Sequence, residues 1–380
     1  MEGVGETTAA VFEATVFLDY FKEMPDPRQP GKIACRLDEV LLLALLAVLA
    51  GAEGFTDIAR FGRKKLALLR RFLPFANGTP SHDHLGDIFA ALDPAAFRRC
   101  FAAWVAALSQ TPLEVVAIDG KTSRRSGAKG AKDAIHTVSA FAARQRLALA
   151  QTTVSEKSNE IVAIPALIDM LSLEGAIVTI DAIGRQRAIA QKIVDKKADY
   201  ILALKGNQET LREDVAVLVD EQKSKGFADC SVSADETVDG DRGRIETRRV
   251  TVIHDVEWLQ KRHDWPGLKG VIVVDSTRES PTKTERETRC YLTSSTLGAD
   301  RLGPATRQHW TVENGLHWIM DVTFNDDQCR IRTANAPANF VTVKHMAVNL
   351  AGRKKGKDSM RLALKTAAWD DAYLAKLIAP

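Results

Sequence analysis

Three acidic residues stand where carboxylates could carry metal-dependent chemistry, and two of them follow similar apolar segments. Asp119 ends the segment VVAIDGK and Asp181 ends AIVTIDAIG, with Gly120 and Gly184 close behind. If both segments are strands with parallel neighbours, their carboxyl ends lie at one edge of a sheet, where ligands gather. Two carboxylates there repel each other unless a cation neutralises them, and such oxygen ligands suit Mg²⁺ or Mn²⁺. The alternative is that each aspartate only caps the turn that follows.

A third carboxylate, Glu313, lies in the segment TRQHWTVENGLHWIMDV. If this segment is a helix, Glu313, His317 and Asp321 are four residues apart and share one face. His309 extends that face by one turn. The pattern indicates a third metal ligand, with Asp321 as an alternative to Glu313. The other interpretation is a surface helix with a chance Glu–His pair.

The elements that must position these residues follow from the apolar patterning. Residues 1–112 have helical periodicity, including an amphipathic segment at 56–73 and an all-apolar run at 40–50. From residue 113 the order is β-β-β-α-β-α-β, which predicts an antiparallel meander followed by parallel neighbours in a mixed sheet. Strand patterns then fill residues 230–295, and helical patterns return from residue 304.

We therefore predict an α/β protein built from four parts. These are an all-α N-terminal domain at 1–112, a mixed-sheet core formed by 113–206 and 304–350, a β-rich insertion at 207–303, and a basic C-terminal tail with a helix at 351–380. The last carboxylate helix would then rejoin the core after the insertion.

Composition excludes several classes of protein. The chain has 380 residues, 45% hydrophobic and 27% charged, which is typical of a globular protein of two or three domains. Five scattered cysteines without a CxxC pair indicate neither a zinc site nor a disulfide framework, and they fit a reducing cytoplasm. The apolar run at 40–50 is too short to cross a membrane. Because there is no GxGxxG after a strand and no Walker loop, no nucleotide cofactor is expected.

The chain has 52 Lys+Arg against 49 Asp+Glu, a net charge of only +3, so the total charge does not indicate nucleic-acid binding. Clusters of basic residues are the more informative feature. One cluster lies in the segment 56–73, another follows Asp119 directly, and a third lies in the β-rich region. The cluster at 353–357 is more typical of a solvent-exposed tail. The candidates for phosphate contact are Arg63, Lys64, Lys121, Arg124, Arg125, Arg244 and Arg248. For the first of these clusters a solvated helix face is an equally good interpretation.

The segments VVAIDGK, TIDAIGRQ and HWTVENGLHWIMDVTFNDD, in that order, resemble the three signature segments of the H-repeat-associated (ISAs-type) family of bacterial DDE transposases. PDPR at 25–28, PSHDHLGDIFAALDP at 80–94 and RGRIETR at 242–248 resemble that family as well. In the last segment Arg242 stands where the family leads us to expect histidine. The resemblance covers roughly residues 20–350.

The resemblance implies a ribonuclease-H-like core with a β-rich insertion, preceded by a helical DNA-binding domain. Asp119, Asp181 and Glu313 match the catalytic triad of the family, which holds two Mg²⁺ ions, with Mn²⁺ as a substitute. The implied activity is cleavage of transposon ends and transfer of the freed 3′-hydroxyl into target DNA. The implied partners are the terminal inverted repeats, the target DNA and further copies of the chain. The implied location is the bacterial cytoplasm.

The sequence departs from the wider group around the glutamate. Where that group has Tyr, Arg and Lys, this chain has Thr306, His309 and Met320, and His317 is a candidate replacement for the missing lysine. His309 and His317 therefore join the candidate DNA contacts. Two other functions remain open: a catalytically silent DNA-binding protein derived from a transposase, and a metal-dependent nuclease without strand transfer.

Overall fold

The computed structural model describes residues 16–109, 111–127, 134–154, 160–181, 187–204, 209–241 and 243–379. Gly184 and Arg242, both noted in the sequence, lie outside these residues. None of the described helices is both long and apolar enough to span a membrane.

The N-terminal part is helical. It has two short 3₁₀-helices, Val16–Phe21 and Pro30–Lys32, and the helices α1 Leu37–Leu49, α2 Phe55–Lys64, α3 Leu66–Leu69, α4 His82–Ala91 and α5 Pro94–Leu108. The apolar run is confirmed as a core helix, because every side chain of α1 from Glu39 onward is buried. The Ser81 hydroxyl caps α4, since it accepts a hydrogen bond from the His84 N–H at 3.2 Å.

The amphipathic segment 56–73 is not one continuous helix. Its first helix starts at Phe55 with Gly54 as the N-cap, and the chain leaves helical geometry at Lys65. The Lys65 ammonium binds the Asp371 carboxylate at 2.6 Å, which ties this break to the C-terminal helices. Periodicity predicted the buried side of this segment but not its interruption.

Within the described residues, nine strands form one mixed sheet in the order β3-β2-β1-β4-β5-β9-β8-β7-β6. The strands are β1 Val115–Thr122, β2 His136–Ala142, β3 Leu147–Val154, β4 Ile177–Ile180, β5 Asp199–Ala203, β6 Val232–Asp241, β7 Arg244–Ile253, β8 Gly270–Ser280 and β9 Lys283–Thr293. The β-β-β-α-β-α-β order and the mixed sheet are confirmed. β1, β2 and β3 pair antiparallel, whereas β1, β4 and β5 pair parallel.

The four later strands continue the same sheet. β6 to β9 pair antiparallel in succession, and β9 joins β5 by three residue pairs, among them Leu202 and Leu292. The β-rich region is therefore an extension of the sheet edge beyond β5.

The remaining helices follow the core strands and return after β9. They are α6 Glu160–Asp169, α7 Arg187–Asp195, α8 Glu209–Ser224, α9 Glu257–His263, α10 Ala299–Gln308, a π-helix Glu313–His317, α11 Trp318–Val322, a 3₁₀-helix Asp326–Gln328, α12 Ala336–Lys354, α13 Met360–Trp369 and α14 Asp371–Ile378.

Helix α12 joins the helical part to the sheet. Every side chain from Ala336 to Ala351 is buried. The Asn339 amide donates to the Phe89 carbonyl of α4 at 2.8 Å, and the Asn349 side chain exchanges hydrogen bonds of 2.8 and 2.9 Å with the backbone of Ala148 on β3. Buried amides held by such paired hydrogen bonds fix the helix between the two parts.

Candidate active site

The parallel pairing of β1 and β4 brings two of the predicted acids to one level of the sheet. Ile118 pairs with Ile180, and Asp119 and Asp181 each follow one of these residues. Because neighbouring strands are about 4.8 Å apart, the two aspartates start from adjacent positions. Asp181 lies one residue beyond the end of β4, whereas Asp119 lies within β1, which continues for three more residues than the sequence indicated.

The carboxyl of Asp119 is the electrostatic centre of the site. Its burial, together with the negative charges of Glu313, Glu160 and Asp181, raises the pKa of Asp119 to about 7, although the Gly120 N–H opposes this rise by hydrogen bonding. The structure therefore brings Glu313 and Asp181 within electrostatic reach of Asp119. It also adds Glu160, which was not among the sequence candidates.

The segment carrying Glu313 is not a regular α-helix. Glu313–His317 forms a π-helix between α10 and α11, and π-turns are frequent at functional sites. A Cβ on Gly315 would lie 3.2 Å from the Phe141 ring, so this turn packs closely on β2. The expectation of one α-helical face is wrong in this detail, because periodicity carries no signal for the wider turn.

Three of the four residues of the predicted helical face contact two different strands. The His309 Nδ1 lies 3.1 Å from the Thr179 hydroxyl on β4, two residues before Asp181. His317 and Asp321 instead contact Asp119 and Lys121 on β1. The segment thus spans the two strands that carry the aspartates.

His317 presents a neutral imidazole to the site. Its Nδ1 lies 3.5 Å from Asp119 Oδ2. Burial and the nearby Lys121 charge lower the pKa of His317 to about 3, so the contact is an imidazole beside a carboxyl and not an ion pair at neutral pH. Its Nε2 is buried and makes no hydrogen bond with the described residues.

A buried imidazole–carboxylate pair lies beside Gly120. The His136 Nε2 is 2.5 Å from Glu160 Oε1, and the His136 Nδ1 is 2.8 Å from the Thr122 hydroxyl. A Cβ on Gly120 would overlap both Glu160 Oε1 and His136 Nε2. Only glycine leaves room for the pair at this end of β1. Sequence reasoning missed both residues, although His136 opens its strand and Glu160 opens the apolar helix IVAIPALIDM.

Lys121 lies in a second charged cluster, on the side of β1 that faces α11. Its Nζ is 2.7 Å from Asp321 Oδ1 and 3.4 Å from one oxygen each of Asp326 and Asp327. Asp326 is also bound by the buried Lys344 at 2.8 Å. Burial alone would lower the pKa of Lys121, but the surrounding carboxylates outweigh it and raise that pKa. Its phosphate-binding role stays a prediction, since here its charge is engaged inside the protein.

The other predicted phosphate contacts differ in exposure. The guanidinium of Arg124 is 82% exposed and lies 3.4 Å from Asp327, whereas Arg248 is largely covered and lies 2.8 Å from Glu246. The remaining candidates are exposed: Arg63, Lys64, Arg125 and Arg244. Their roles in DNA binding stay predictions.

A groove leads from Asp181 towards Arg248. Next to Asp181 is a cavity of about 680 Å³ that His309, Tyr291 and Trp310 help to line. The adjoining depression shares Tyr291 and Trp310 with it and extends to Arg248. The Arg289 guanidinium stacks 5.2 Å above the Trp310 ring between them.

The donor set fits a hard divalent cation. Asp119, Asp181 and Glu313 offer carboxylate oxygens, and their mutual repulsion is the kind that Mg²⁺ relieves. Within the described part of the chain, no three acidic, histidine or cysteine side chains converge closely enough to form a ready metal cluster. The chemistry of the ligands therefore agrees with the prediction, and their arrangement around an ion stays a prediction.

Comparison with known proteins gives consistent matches along the chain. Residues 110–350 match the model described as the transposase DDE domain, and residues 18–105 match the model described as DDE_Tnp_1-associated. Among solved structures, a piggyBac transposase synaptic complex with hairpin DNA aligns with 98% of this chain and 79% of that chain. Its TM-score is 0.40 and its identity 9%, too low to support an inference.

Curated relatives match over almost their whole length. The "H repeat-associated putative transposase YhhI" of Escherichia coli K12 is 37% identical over 97% of this chain and 98% of its own length. The "putative transposase YncI" of Escherichia coli O157:H7 is 37% identical over 95% of this chain and 94% of its own length. A shorter relative named "inactive transposase YbfQ", of Escherichia coli K12, covers 20% of this chain and 90% of its own length at 37% identity.

Proposed function

Because the chain belongs to the DDE transposase family, we propose that it cuts the ends of a DNA element and joins the freed 3′-hydroxyls to target DNA. The single observation that best supports catalysis, beyond family membership, is the concentration of negative charge around Asp119. Burial and three other carboxylates raise the pKa of this group, as expected where several acids gather to bind a cation.

We propose that Asp119, Asp181 and Glu313 hold two Mg²⁺ ions, with Mn²⁺ as a substitute. When bound, such ions lower the pKa of an attacking water or 3′-hydroxyl and stabilise the leaving oxygen of the phosphodiester. The protein's own contribution is positional. The β1–β4 register sets the spacing of the aspartates, and the π-helix presents Glu313 and the neutral His317 to the same edge.

The DNA path that we propose runs along the groove from Asp181 to Arg248. Arg248 and Arg289 are the candidates for phosphate contact there, each of them also paired with a glutamate (Glu246 and Glu287), and Tyr291 and Trp310 supply aromatic surface. Phosphate contacts of this kind bind and orient DNA without reading its sequence. His309 stands at the entrance beside β4, where it contacts Thr179.

The same proposal assigns a function to each part of the chain. Residues 1–112 would bind the terminal repeats, 113–206 with 304–350 would form a ribonuclease-H-like core, 207–303 would extend it, and 351–380 would form the tail. The separate family matches at 18–105 and 110–350 support the first boundary. The sheet order β3-β2-β1-β4-β5 supports the ribonuclease-H-like core. Assembly of several copies on DNA and action in the cytoplasm stay predictions.

The test uses a duplex ending in the inverted repeat that flanks the gene, with Mg²⁺. The variants are Asp119→Asn, Asp181→Asn and Glu313→Gln, with Asp83→Asn on the exposed surface of α4 as the control. We expect the three variants to bind DNA and to lose at least about a thousandfold in cleavage, since a metal ion supplies several kcal/mol at the transition state.

Each outcome separates the candidate functions. Cleavage retained in one variant removes that residue from the site. Wild-type protein that binds the repeat without cutting it indicates a silent DNA-binding protein. Cutting without joined 3′ ends indicates a nuclease.

A further inference from the structure

Lys121 connects the strand of Asp119 to the helix that follows Glu313. On β1, Lys121 is two residues beyond Asp119, and on the helical segment Asp321 is four residues beyond His317. His317 contacts Asp119, and Asp321 contacts Lys121. Two residues of a strand rise about 6.6 Å and four residues of a helix rise about 6 Å, so the two contacts are in register.

Charged residues around Lys121 stabilise this alignment of β1 with the helical segment. Asp326 is 2% exposed. It accepts hydrogen bonds from Ser123, which directly follows β1, and from Lys344 on α12. Lys121 lies between Asp321 and Asp326, and its side chain is 11% exposed. A lysine in this position cannot reach outward to DNA without giving up its contact with Asp321 and its share in the buried Asp326–Lys344 network, and weakening a buried network of charges is costly.

We propose that Lys121 is a positioning residue: its contacts with Asp321 and Asp326 hold the helical segment of Glu313 and His317 in register with Asp119. The inference rests on the proposed function, in which Asp119 and Glu313 are catalytic. It assigns to Lys121 an internal role in place of a phosphate contact.

Substitutions of Lys121 and of Asp321 distinguish a positioning role of Lys121 from a phosphate contact. Lys121→Met removes the charge, and Asp321→Asn removes its nearest partner while Asp326 and Lys344 stay paired. The matched control is the Lys223–Asp275 pair, of 2.8 Å, which joins α8 to β8, as Lys223→Met and Asp275→Asn.

For positioning, we expect both Lys121→Met and Asp321→Asn to lower the cleavage rate at saturating DNA and Mg²⁺ by at least about tenfold, because small displacements of reacting groups are expensive. The double variant should fall no further than the worse single variant. The slope of log affinity for DNA against log salt should stay at the wild-type value. The control pair should keep the wild-type rate.

For a phosphate contact, the results would be opposite. Lys121→Met would lower the salt slope by about 0.9, and Asp321→Asn would leave cleavage intact because it frees the lysine for DNA. Either result overturns the inference.

A second readout does not need cleavage. Mg²⁺ should raise the Tm of wild-type protein and of the control variants. It should raise the Tm of Lys121→Met and Asp321→Asn less, because the carboxylates that bind it are no longer correctly positioned. If Mg²⁺ raises the Tm of wild-type protein but the protein does not cut DNA, the proposed function fails, and the comparison of Tm values still tests the role of Lys121. If Mg²⁺ raises the Tm of both variants as much as that of wild-type protein, Lys121 has no positioning role. If Mg²⁺ does not raise the Tm of wild-type protein, both proposals fail.

Discussion

Asp119, within β1, and Asp181, just after β4, occupy matching positions beside two neighbouring parallel strands, each one residue beyond the paired Ile118 and Ile180. This register needs no direct contact between the two carboxylates. It is set by backbone hydrogen bonds in a buried part of the sheet, and a one-residue slip would turn one of the two aspartates to the other face. The spacing of the two aspartates is thus a property of the sheet, and Glu313, on the helical segment, is the proposed third acid.

Replacement of His317 by leucine should slow catalysis and spare DNA binding, a result that would remove His317 from the candidate DNA contacts. The imidazole lies 3.5 Å from Asp119 and is buried in neutral form, so leucine keeps its bulk but removes its nitrogens. Groups that orient metal ligands typically contribute about 10- to 100-fold, and we expect a loss of about that size in cleavage at saturating Mg²⁺. A gel-shift titration should give unchanged affinity. His82→Leu, on the exposed surface of α4, is the control, and equal losses in both variants would contradict the prediction.

Replacement of Gly120 by alanine should destabilise the strand end that carries Asp119. The new Cβ would overlap both Glu160 and His136, which hold each other by a short hydrogen bond. Overpacking of this kind costs about 1–3 kcal/mol of unfolding free energy. Urea unfolding measures the change. Gly240→Ala, in β6, is the control because its Cβ would meet nothing within 4 Å. A shift in Gly120→Ala no larger than in the control would show that the pair yields without strain.

The order of the core strands was predictable because it depends on local patterns. Alternation of short β-branched segments with amphipathic ones predicted β-β-β-α-β-α-β, and this is confirmed by the pairing of β1 with β2 and with β4. The buried helix α1 was predictable for the same reason, since an all-round apolar run has no solvent-facing side.

The surroundings of Lys121 could not be predicted in the same way. The sequence shows a basic residue beside Asp119, and phosphate binding was a natural interpretation. Its partner Asp326 is 205 positions away along the chain, and only the tertiary fold brings the two together. The His136–Glu160 pair was missed for a similar reason, since it exists only where Gly120 leaves space.

Acid should weaken the fold through Asp326. Burial would raise the pKa of Asp326, but Lys344 and Lys121 lower it to about 2 from a usual 3.8. A carboxylate whose pKa is lowered by folding stabilises the folded state at pH values above the pKa that it has in the unfolded chain. This stabilisation is lost as the pH falls from about 4 to about 2. The shift corresponds to about 2 kcal/mol.

The measurement is urea unfolding of wild-type protein and Asp326→Asn between pH 7 and pH 2. We expect the variant to be less stable by at least about 2 kcal/mol at pH 7 and the difference to shrink below pH 4. Asp87→Asn, on the exposed side of α4, should track wild-type protein throughout. A difference that stays constant with pH would mean that the Asp326 charge contributes nothing to stability.

Arg63 and Lys64 should contribute to DNA affinity through phosphates alone. Both are exposed at the end of α2, while the neighbouring Lys65 is bound to Asp371 and is not available. Removal of one phosphate contact should lower the slope of log affinity against log salt by about 0.9, so Arg63→Ala with Lys64→Ala should lower it by nearly 2. Affinity for unrelated DNA should fall in proportion, because such contacts carry no sequence information.

The control for these two residues is another exposed basic pair, Arg353→Ala with Lys357→Ala in the tail. If the helical N-terminal part binds DNA, the α2 variant should lose slope and the tail variant should not, although both remove the same net charge. Equal small losses in both would mean that only overall charge attracts the DNA. A normal slope in the α2 variant would leave this face of the helix as a solvated surface and would move the repeat-binding site elsewhere in the chain.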